Sequence, residues 1–282
     1  MTAAWLTVTR RDAPLVVSLP HTGTTIPPEY ASRLRSPWLA RKDADWWIDR
    51  LYGFAADLGA TVIHTAISRT VIDVNRDPGG VSLYPGQATT GLCPTETFDG
   101  EPLYPLGEAP TAAEIADRRQ RYFEPYHEAI DWELARLRAR HPRVVIYDCH
   151  SIRSRIPRLF DGELPQFNVG TNGGKTCDAA LTRAVERACD ATGLTRVTDG
   201  RFRGGYITRH YGRPSAGIHA IQMELACRGY MDEPAVPDDA SWPSPYLDQR
   251  ASGMRTALVA VLEQCLAWAA GRRAAGPATG VS

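Results

Sequence analysis

The 282-residue chain predicts an α/β layered fold with a mostly parallel or mixed sheet. Three observations carry that expectation. Short apolar, β-branched runs alternate with longer stretches of helical spacing. Gly, Pro and polar clusters bound those runs, as they bound strands. Three of the runs end in His, Asp or Glu, where strand ends of an open α/β sheet form a ligand crevice. No internal repeat or linker-like stretch is present. Residues 1–271 are therefore read as one domain, and 272–282, polar and rich in Ala and Gly, as a disordered tail.

The elements follow in order. Leu15 to Pro20 is a buried strand that delivers His21 at its C-terminal end. Ser36-Pro37-Trp38 leads into a helical stretch reaching about Leu58 and closed by Gly59. Trp47, Leu51 and Phe54 fall near helical spacing there, with Asp43, Asp45 and Asp49 between them. Thr61 to Ala66 is a second strand, and Thr70 to Arg76 a third that alternates at its end. Residues 77–110 are rich in Gly, Pro and Thr, and a loop of that length is usually functional or mobile. Thr111 to about Arg140 is one long helix, opened by a capping box of Thr111 and Glu114. Val144 to His150 is the clearest strand, followed by a basic, Pro-containing loop over 151–163. Gln166 to Gly170 is a further strand, and Thr171 to Gly174 a turn. Cys177 to Thr192 is a helix closed by Gly193. Gly204-Gly205-Tyr206 opens a flexible segment. Ile218 to Leu225 is the last strand, with Glu224 near its end, and Leu247 to Ala270 is a C-terminal helix.

Lys+Arg and Asp+Glu both number 32, so the formal net charge is zero, which speaks against a dedicated nucleic-acid binder. Lys42 and Lys175 are the only lysines. Nearly every cation is thus a guanidinium, suited to bidentate carboxylate contacts. No apolar run reaches ~18 residues, and Met1 to Arg11 lacks the pattern of a signal peptide, so no membrane segment is expected. The cysteines (Cys93, Cys149, Cys177, Cys189, Cys227 and Cys265) are dispersed without a Cys-x-x-Cys pair, which reads as reduced thiols in a cytoplasmic protein.

If the strands ending at His21, at Asp148 and His150, and at Glu224 are neighbours, two imidazoles and a carboxylate converge. Two His plus a carboxylate with one open position is the ligand set of a catalytic zinc site. Asp43 and Asp45 are the candidates for the third ligand, because their helix should return over the same crevice. Each residue taken singly has a plainer reading: a strand-end His as a structural hydrogen bonder, Asp43 and Asp45 as solvated helix-face charges. Arg69, Arg76 and Arg209, with Asn75 and His210 beside the last two, would suit an anionic substrate. The alternative for any one of these arginines is a surface charge. His64, His127, His141 and His219 read as structural or exposed. A Cys149–His150 thiol pair is disfavoured, since adjacent strand residues face opposite ways. Neither a Gly-x-Ser-x-Gly elbow nor a P-loop is present.

Seven short motifs then occur in order. They are Pro20-His21-Thr22-Gly23, Asp43-Ala44-Asp45-Trp46, the stretch Ser68-Arg69 through Asp73-Val74-Asn75-Arg76, and Asp148-Cys149-His150-Ser151. Phe167-Asn168-Val169-Gly170, Gly204-Gly205-Tyr206-Ile207-Thr208-Arg209-His210-Tyr211-Gly212, and Gln222-Met223-Glu224-Leu225 follow. Together they resemble the N-formylglutamate amidohydrolases over roughly residues 12–268. Asp43-Ala44-Asp45-Trp46-Trp47 and Tyr230-Met231-Asp232-Glu233 resemble the branch of that family that serves histidine breakdown.

The resemblance implies a mixed central sheet with helices on both faces, similar to the zinc carboxypeptidases (phosphorylase/hydrolase-like). It also implies one divalent metal, zinc, at the strand ends. It implies hydrolysis of N-formyl-L-glutamate, a small anionic N-acyl amino acid, to formate and L-glutamate. His21 and His150 take the places of the two His ligands, and Asp45, with Asp43 as the alternative, that of the carboxylate. Ala44 stands where the family has Thr, and Thr24 stands where zinc carboxypeptidases carry the Glu of His-x-x-Glu. Glu224 takes the place of the catalytic Glu, and Arg76 is the second catalytic candidate. Arg76 and Arg209 are the leading partners for substrate carboxylates, with Arg69, Asn75 and His210 nearby. Hydrolysis of a different N-acyl amino acid, and non-catalytic binding of acidic amino acids on the same fold, are the alternatives; the oligomeric state stays open.

Overall fold

A computed structural model describes residues 4–271 of the chain. The segment read as a disordered tail, 272–282, lies outside the described residues. Seven strands form a single sheet: β1 (Leu6–Thr9), β2 (Leu15–Leu19), β3 (Thr61–Thr65), β4 (Val144–Ile152), β5 (Phe167–Gly170), β6 (Arg196–Thr198) and β7 (Ile218–Ala226). Their order across the sheet is β1-β3-β2-β4-β7-β5-β6. The central four, β3, β2, β4 and β7, run parallel, whereas β1 joins β3 and β5 joins β7 antiparallel, with β6 parallel to β5 at the far edge. The sheet is therefore mixed, as the sequence predicts.

The central strands are buried on both faces, which explains their continuous apolar sequences. Residue parity decides which face a side chain meets. Leu15, Val17, Val145, Tyr147, Cys149, Ile221 and Met223 join one apolar cluster, with residues of α2 (Ile48–Leu51), α5 (Ala179–Asp190) and α7 (Asp248–Ala269). Val16, Val144, Ile146 and Ala220 join another on the opposite face. There they meet Tyr126, Ile130, Leu134 and Leu137 of α4 (Glu124–Arg138) and Ile207 and Tyr211 of α6 (Tyr206–Tyr211). Helices thus cover both faces. Two short elements complete the set, α1 (Pro28–Ala31) and α3 (Ala112–Arg118). Among the described residues, no helix is long and apolar enough to cross a membrane.

Several local expectations are corrected. The expected helix from Trp38 to Leu58 is broken into a 3₁₀ turn at Leu39–Arg41 and the four-residue α2. At the break the Asp45 amide donates to the His21 carbonyl, and Trp47 turns left-handed at φ 64°, its indole N–H bonded to the Ser244 carbonyl. That interruption aims Asp45 at the sheet. The expected strand at Thr70–Arg76 is a chain of turns. The Ser68 carbonyl accepts from the Val71 amide, and Asp73 Oδ1 accepts from the Asn75 amide. Its Val71, Ile72 and Val74 are buried against the α4 face, which gives a turn the composition of a strand. The long helix from Thr111 carries a π-helical turn at Arg119–Phe123 between α3 and α4. Pro125, with no N–H to donate and a ring that crowds the preceding turn, accounts for the widening. The Thr111–Glu114 capping box is formed in both directions.

Candidate metal and active site

The site lies beyond the C-terminal ends of β2, β4 and β7. The chain passes from β2 to β3 on one side and returns to β4 on the other, the switch point at which open α/β sheets place ligands. His21 follows β2 after the single residue Pro20. His150, in β4, is the register partner of Glu224 in β7, and Asp148 is that of Gln222. These four share parity with Ile146 and Ala220, so they extend the α4–α6 face of the sheet past its apolar part. Cys149 points into the other cluster. The thiol–imidazole pair is thereby absent, as the alternation predicts.

Asp45 completes the centre. One ligand atom each from His21, Asp45 and His150 lie within 4.8 Å of one another, and all three residues are buried. His150 Nδ1 stands 3.0 Å from Asp45 Oδ2, and His21 Nδ1 stands 3.7 Å from the same oxygen. His21 Nδ1 is a buried nitrogen with no hydrogen-bond partner among the described residues. A buried, orphaned imidazole nitrogen facing a carboxylate and a second imidazole is what a divalent cation would satisfy, so the donor set fits such an ion.

The far nitrogen of each ring is held by a second carboxylate. His21 Nε2 is 2.7 Å from Asp73 Oδ1, and His150 Nε2 is 2.9 Å from Asp148 Oδ2. This carboxylate–imidazole pairing orients ligating rings and raises their basicity. Burial opposes protonation of His150, but Asp148 and Asp45 outweigh it and raise its affinity for a proton. Burial pushes the Asp45 carboxyl up, yet contacts with His150 and His21 hold it well below the ordinary range. Burial likewise opposes ionisation of Asp73, while Arg76, His21 and Arg69 keep it low. Asp45 and Asp73 therefore stay anionic.

Asp43, the alternative ligand, points elsewhere. Its Oδ2 accepts the Phe98 amide at 2.6 Å, and burial raises its pKa to about 6. Glu224 is buried too, and desolvation raises its carboxyl to about 8. A carboxyl so perturbed beside the His21–Asp45–His150 cluster is suited to exchanging protons near neutral pH.

The adjoining cavity is lined by His21, His150 and Glu224, by Arg69, Asn75 and Arg76, and by the loops around them. Arg69 spans Asp73 at 2.7 Å and Asp45 at 3.5 Å. Arg76 is anchored by the Thr90 carbonyl and hydroxyl and lies 3.6 Å from Asp73. The Asn75 carboxamide is engaged on both sides. Its oxygen accepts the Ile207 amide at the start of α6, and its nitrogen donates to Asp148. Gly205 abuts that carboxamide so closely that a side chain there would collide with it. The expected flexible segment at Gly204 is instead a tight junction leading into α6. Arg209 and His210, on α6, are not among the cavity-lining residues. Arg209 donates to the Gly204 and Leu83 carbonyls, and His210 stacks on Tyr206.

Sequence reasoning missed the roles of Asp73 and Asp148 and the presence of Gln222, Tyr84, Arg158 and Arg201 in the cavity wall. The long 77–110 loop contributes Tyr84, Ala88, Thr89, Thr90 and Phe98 to that wall, which accounts for its length. The signal for Asp73 was its position two residues before Asn75, where an Asp commonly folds a turn onto its own backbone.

Comparison with known proteins places the chain in a family. The family model described as N-formylglutamate amidohydrolase matches residues 13–231. The chain belongs to the N-formylglutamate amidohydrolase family. Among relatives of that family, the N-formylglutamate deformylase of Pseudomonas aeruginosa PAO1 is 45% identical over 264 residues, covering 93% of this chain and 96% of that one. The N-formylglutamate deformylase of Pseudomonas putida is 44% identical over 260 residues, covering 92% and 94%. The crystal structure of an N-formylglutamate amidohydrolase from Ralstonia eutropha JMP134 shares the fold, with a TM-score of 0.78 at 24% identity, covering 95% of this chain and 98% of that one.

Proposed function

We propose that this amidohydrolase-family chain hydrolyses N-formyl-L-glutamate to formate and L-glutamate, the activity named for its Pseudomonas relatives. We further propose that it does so with one divalent cation, zinc by donor type, in the breakdown of histidine in the cytoplasm, and that residues 1–271 act as one domain. The observation that carries the reading is the cluster of His21, Asp45 and His150 at a cavity whose wall also holds Glu224 and several arginines. His21 Nδ1, His150 Nδ1 and Asp45 Oδ2 are the holding atoms. When bound there, the cation supplies Lewis-acid polarisation to the formyl oxygen and to the attacking water.

Glu224 takes the proton from water as the oxygen–carbon bond forms at the formyl group. It returns that proton to the glutamate nitrogen as the carbon–nitrogen bond breaks, so formate and a free amine leave. A raised carboxyl pKa suits both halves of that exchange, because the group gains and loses a proton near neutrality. Asp73 and Asp148 hold the two imidazoles with their far nitrogens engaged, which leaves Nδ1 facing the centre. Arg69 neutralises Asp45 and Asp73 around the centre. Arg76 holds the substrate's α-carboxylate, because its link to Asp73 keeps its guanidinium near the reacting end.

The test is a coupled assay of glutamate released from N-formyl-L-glutamate, before chelation, after it, and with zinc restored. Turnover that is lost to chelator and regained with zinc supports the reading. Turnover undiminished in protein shown to be metal-free removes the cation from it. Absence of turnover in fully metal-loaded protein removes the substrate.

A further inference from the structure

We infer that Arg201 is the specificity-determining residue for the side-chain carboxylate of the substrate. The inference rests on the deformylase reading above and deepens it. Arg201 is half-buried in the cavity wall and is the only cavity-lining arginine without a carboxylate within 4.0 Å among the described residues. Arg69 and Arg76 face Asp73, and Arg158 pairs with Glu96. Arg201 instead is fixed by neutral groups. Its Nε donates to the Leu159 carbonyl at 2.7 Å, and its Nη2 donates to the Ala88 carbonyl at 3.0 Å. Its guanidinium carbon lies 5.3 Å from the Tyr84 ring centre and 5.2 Å from that of Phe202. Nη1 has no hydrogen-bond partner among the described residues.

A guanidinium tied to two carbonyls and flanked by two rings has already lost most of its rotamer freedom. It has gained no carboxylate within ion-pair distance in exchange. Burial lowers its affinity for the proton, which Tyr84 and Glu224 offset only in part, and the nearby Arg76 adds repulsion. Such a group is an anion receptor fixed in advance, the arrangement that makes charge recognition strong.

The chemistry of the substrate decides which anion it takes. In N-formylglutamate the α-carboxylate is bonded to the same carbon as the reacting nitrogen, so it must lie near Glu224 and the cation-holding residues. Arg76 is anchored there through Asp73. The side-chain carboxyl carbon stands three bonds away from that same carbon, beyond two methylenes. Arg201 is anchored to the 151–163 and 77–110 loops through Leu159 and Ala88, with no bond to the cation-holding residues. The more distant carboxylate therefore falls to Arg201, and Leu159 and Phe202 supply apolar surface for the two methylenes between.

The experiment compares kcat/KM for N-formyl-L-glutamate and N-formyl-L-glutamine, a neutral near-isostere, in the metal-loaded full chain and its Arg201→Gln and Arg201→Lys variants. The wild type is expected to prefer glutamate. Arg201→Gln is expected to lower kcat/KM on glutamate roughly 30–100-fold, the low end for removing one partner of a desolvated charge pair. Its rate on glutamine should change by less than about 3-fold, which also reports an intact fold. Arg201→Lys should recover part of the preference, since a point charge lacks the fork. Equal losses on both substrates, or an unchanged preference, overturn the inference. Should the wild type turn over neither substrate, the deformylase reading falls, and calorimetry with glutarate then decides on Arg201. Glutarate binding abolished by Arg201→Gln keeps the dicarboxylate site, and binding unaltered by it removes the site.

Discussion

The Nε2 atom of His21 stands 2.7 Å from Asp73 Oδ1, and that contact leaves the opposite nitrogen of the ring facing Asp45 with no other partner. Asp73 lies outside the His21–Asp45–His150 cluster, and on the proposed reading it sets which His21 nitrogen is free to hold a cation. Replacing it with Asn keeps the volume and removes the charge that favours an Nε2–H tautomer. Asp73→Asn is expected to weaken divalent-cation affinity about 10–100-fold, the usual effect of losing an outer carboxylate. A competition titration against a chelator of known affinity reads this directly. An affinity equal to wild type would remove Asp73 from the centre.

Glu224 lies beside His150 in the sheet register and is raised by burial to about 8. Glu224→Gln preserves its shape and abolishes its proton exchange. Turnover of N-formyl-L-glutamate should fall about 10²–10⁴-fold, while bound metal, measured by elemental analysis, stays at the wild-type level. Loss of both together would mean that Glu224 holds the site rather than serving the reaction. Near-normal turnover would assign the proton transfer to another group.

Asp43 and Asp45 make a controlled pair, two residues apart with opposite assignments. Asp45 faces both imidazoles, whereas Asp43 accepts the Phe98 amide. Asp45→Asn should lose the cation on gel filtration and with it nearly all activity. Asp43→Asn should keep the cation, because a carboxamide oxygen still accepts that amide, and stability should change by within about 1 kcal/mol. The reverse pattern of metal content would assign the ligand to Asp43.

The contrast between those two aspartates shows where sequence reasoning carries and where it stops. Parity in a strand is rigid, so Cys149 and His150 had to separate, and the apolar runs around Val16, Ile146 and Ile221 had to be central strands. The break before α2 carries no such local signature. Asp43 to Trp47 has helical composition, and only the sheet beneath it, through the His21 carbonyl, makes the chain turn there. Thr70 to Arg76 failed for the same reason in reverse. Its Val and Ile are buried by α4 rather than by strand neighbours, so a turn reads as a strand. Arg201 was hidden among many arginines. What distinguishes it is the lack of a nearby carboxylate, which a single sequence does not display. The short edge strands β1 and β6 are likewise too brief to leave a period.

His127 provides a last check, independent of the cation. It lies in α4, where Nε2 donates to the Val74 carbonyl and Nδ1 accepts from the Tyr211 hydroxyl. Burial lowers its pKa to about 4. An unfolded His has a pKa of about 6.5. Above that value neither state binds the proton and His127 makes stability independent of pH. Between about 6.5 and about 4 the unfolded chain takes up a proton that the folded protein refuses, so stability falls as pH falls. The full difference corresponds to about 3 kcal/mol. His127→Gln removes the titration while leaving an amide able to donate and accept. Urea unfolding from pH 7 to pH 4 should therefore show the gap between wild type and variant shrinking by about that amount. Loss of metal at acid pH affects both proteins and cancels in the comparison. A gap that stays constant with pH would mean that His127 is protonated as readily in the fold as outside it, and that the contact with Val74 does not depend on a neutral ring.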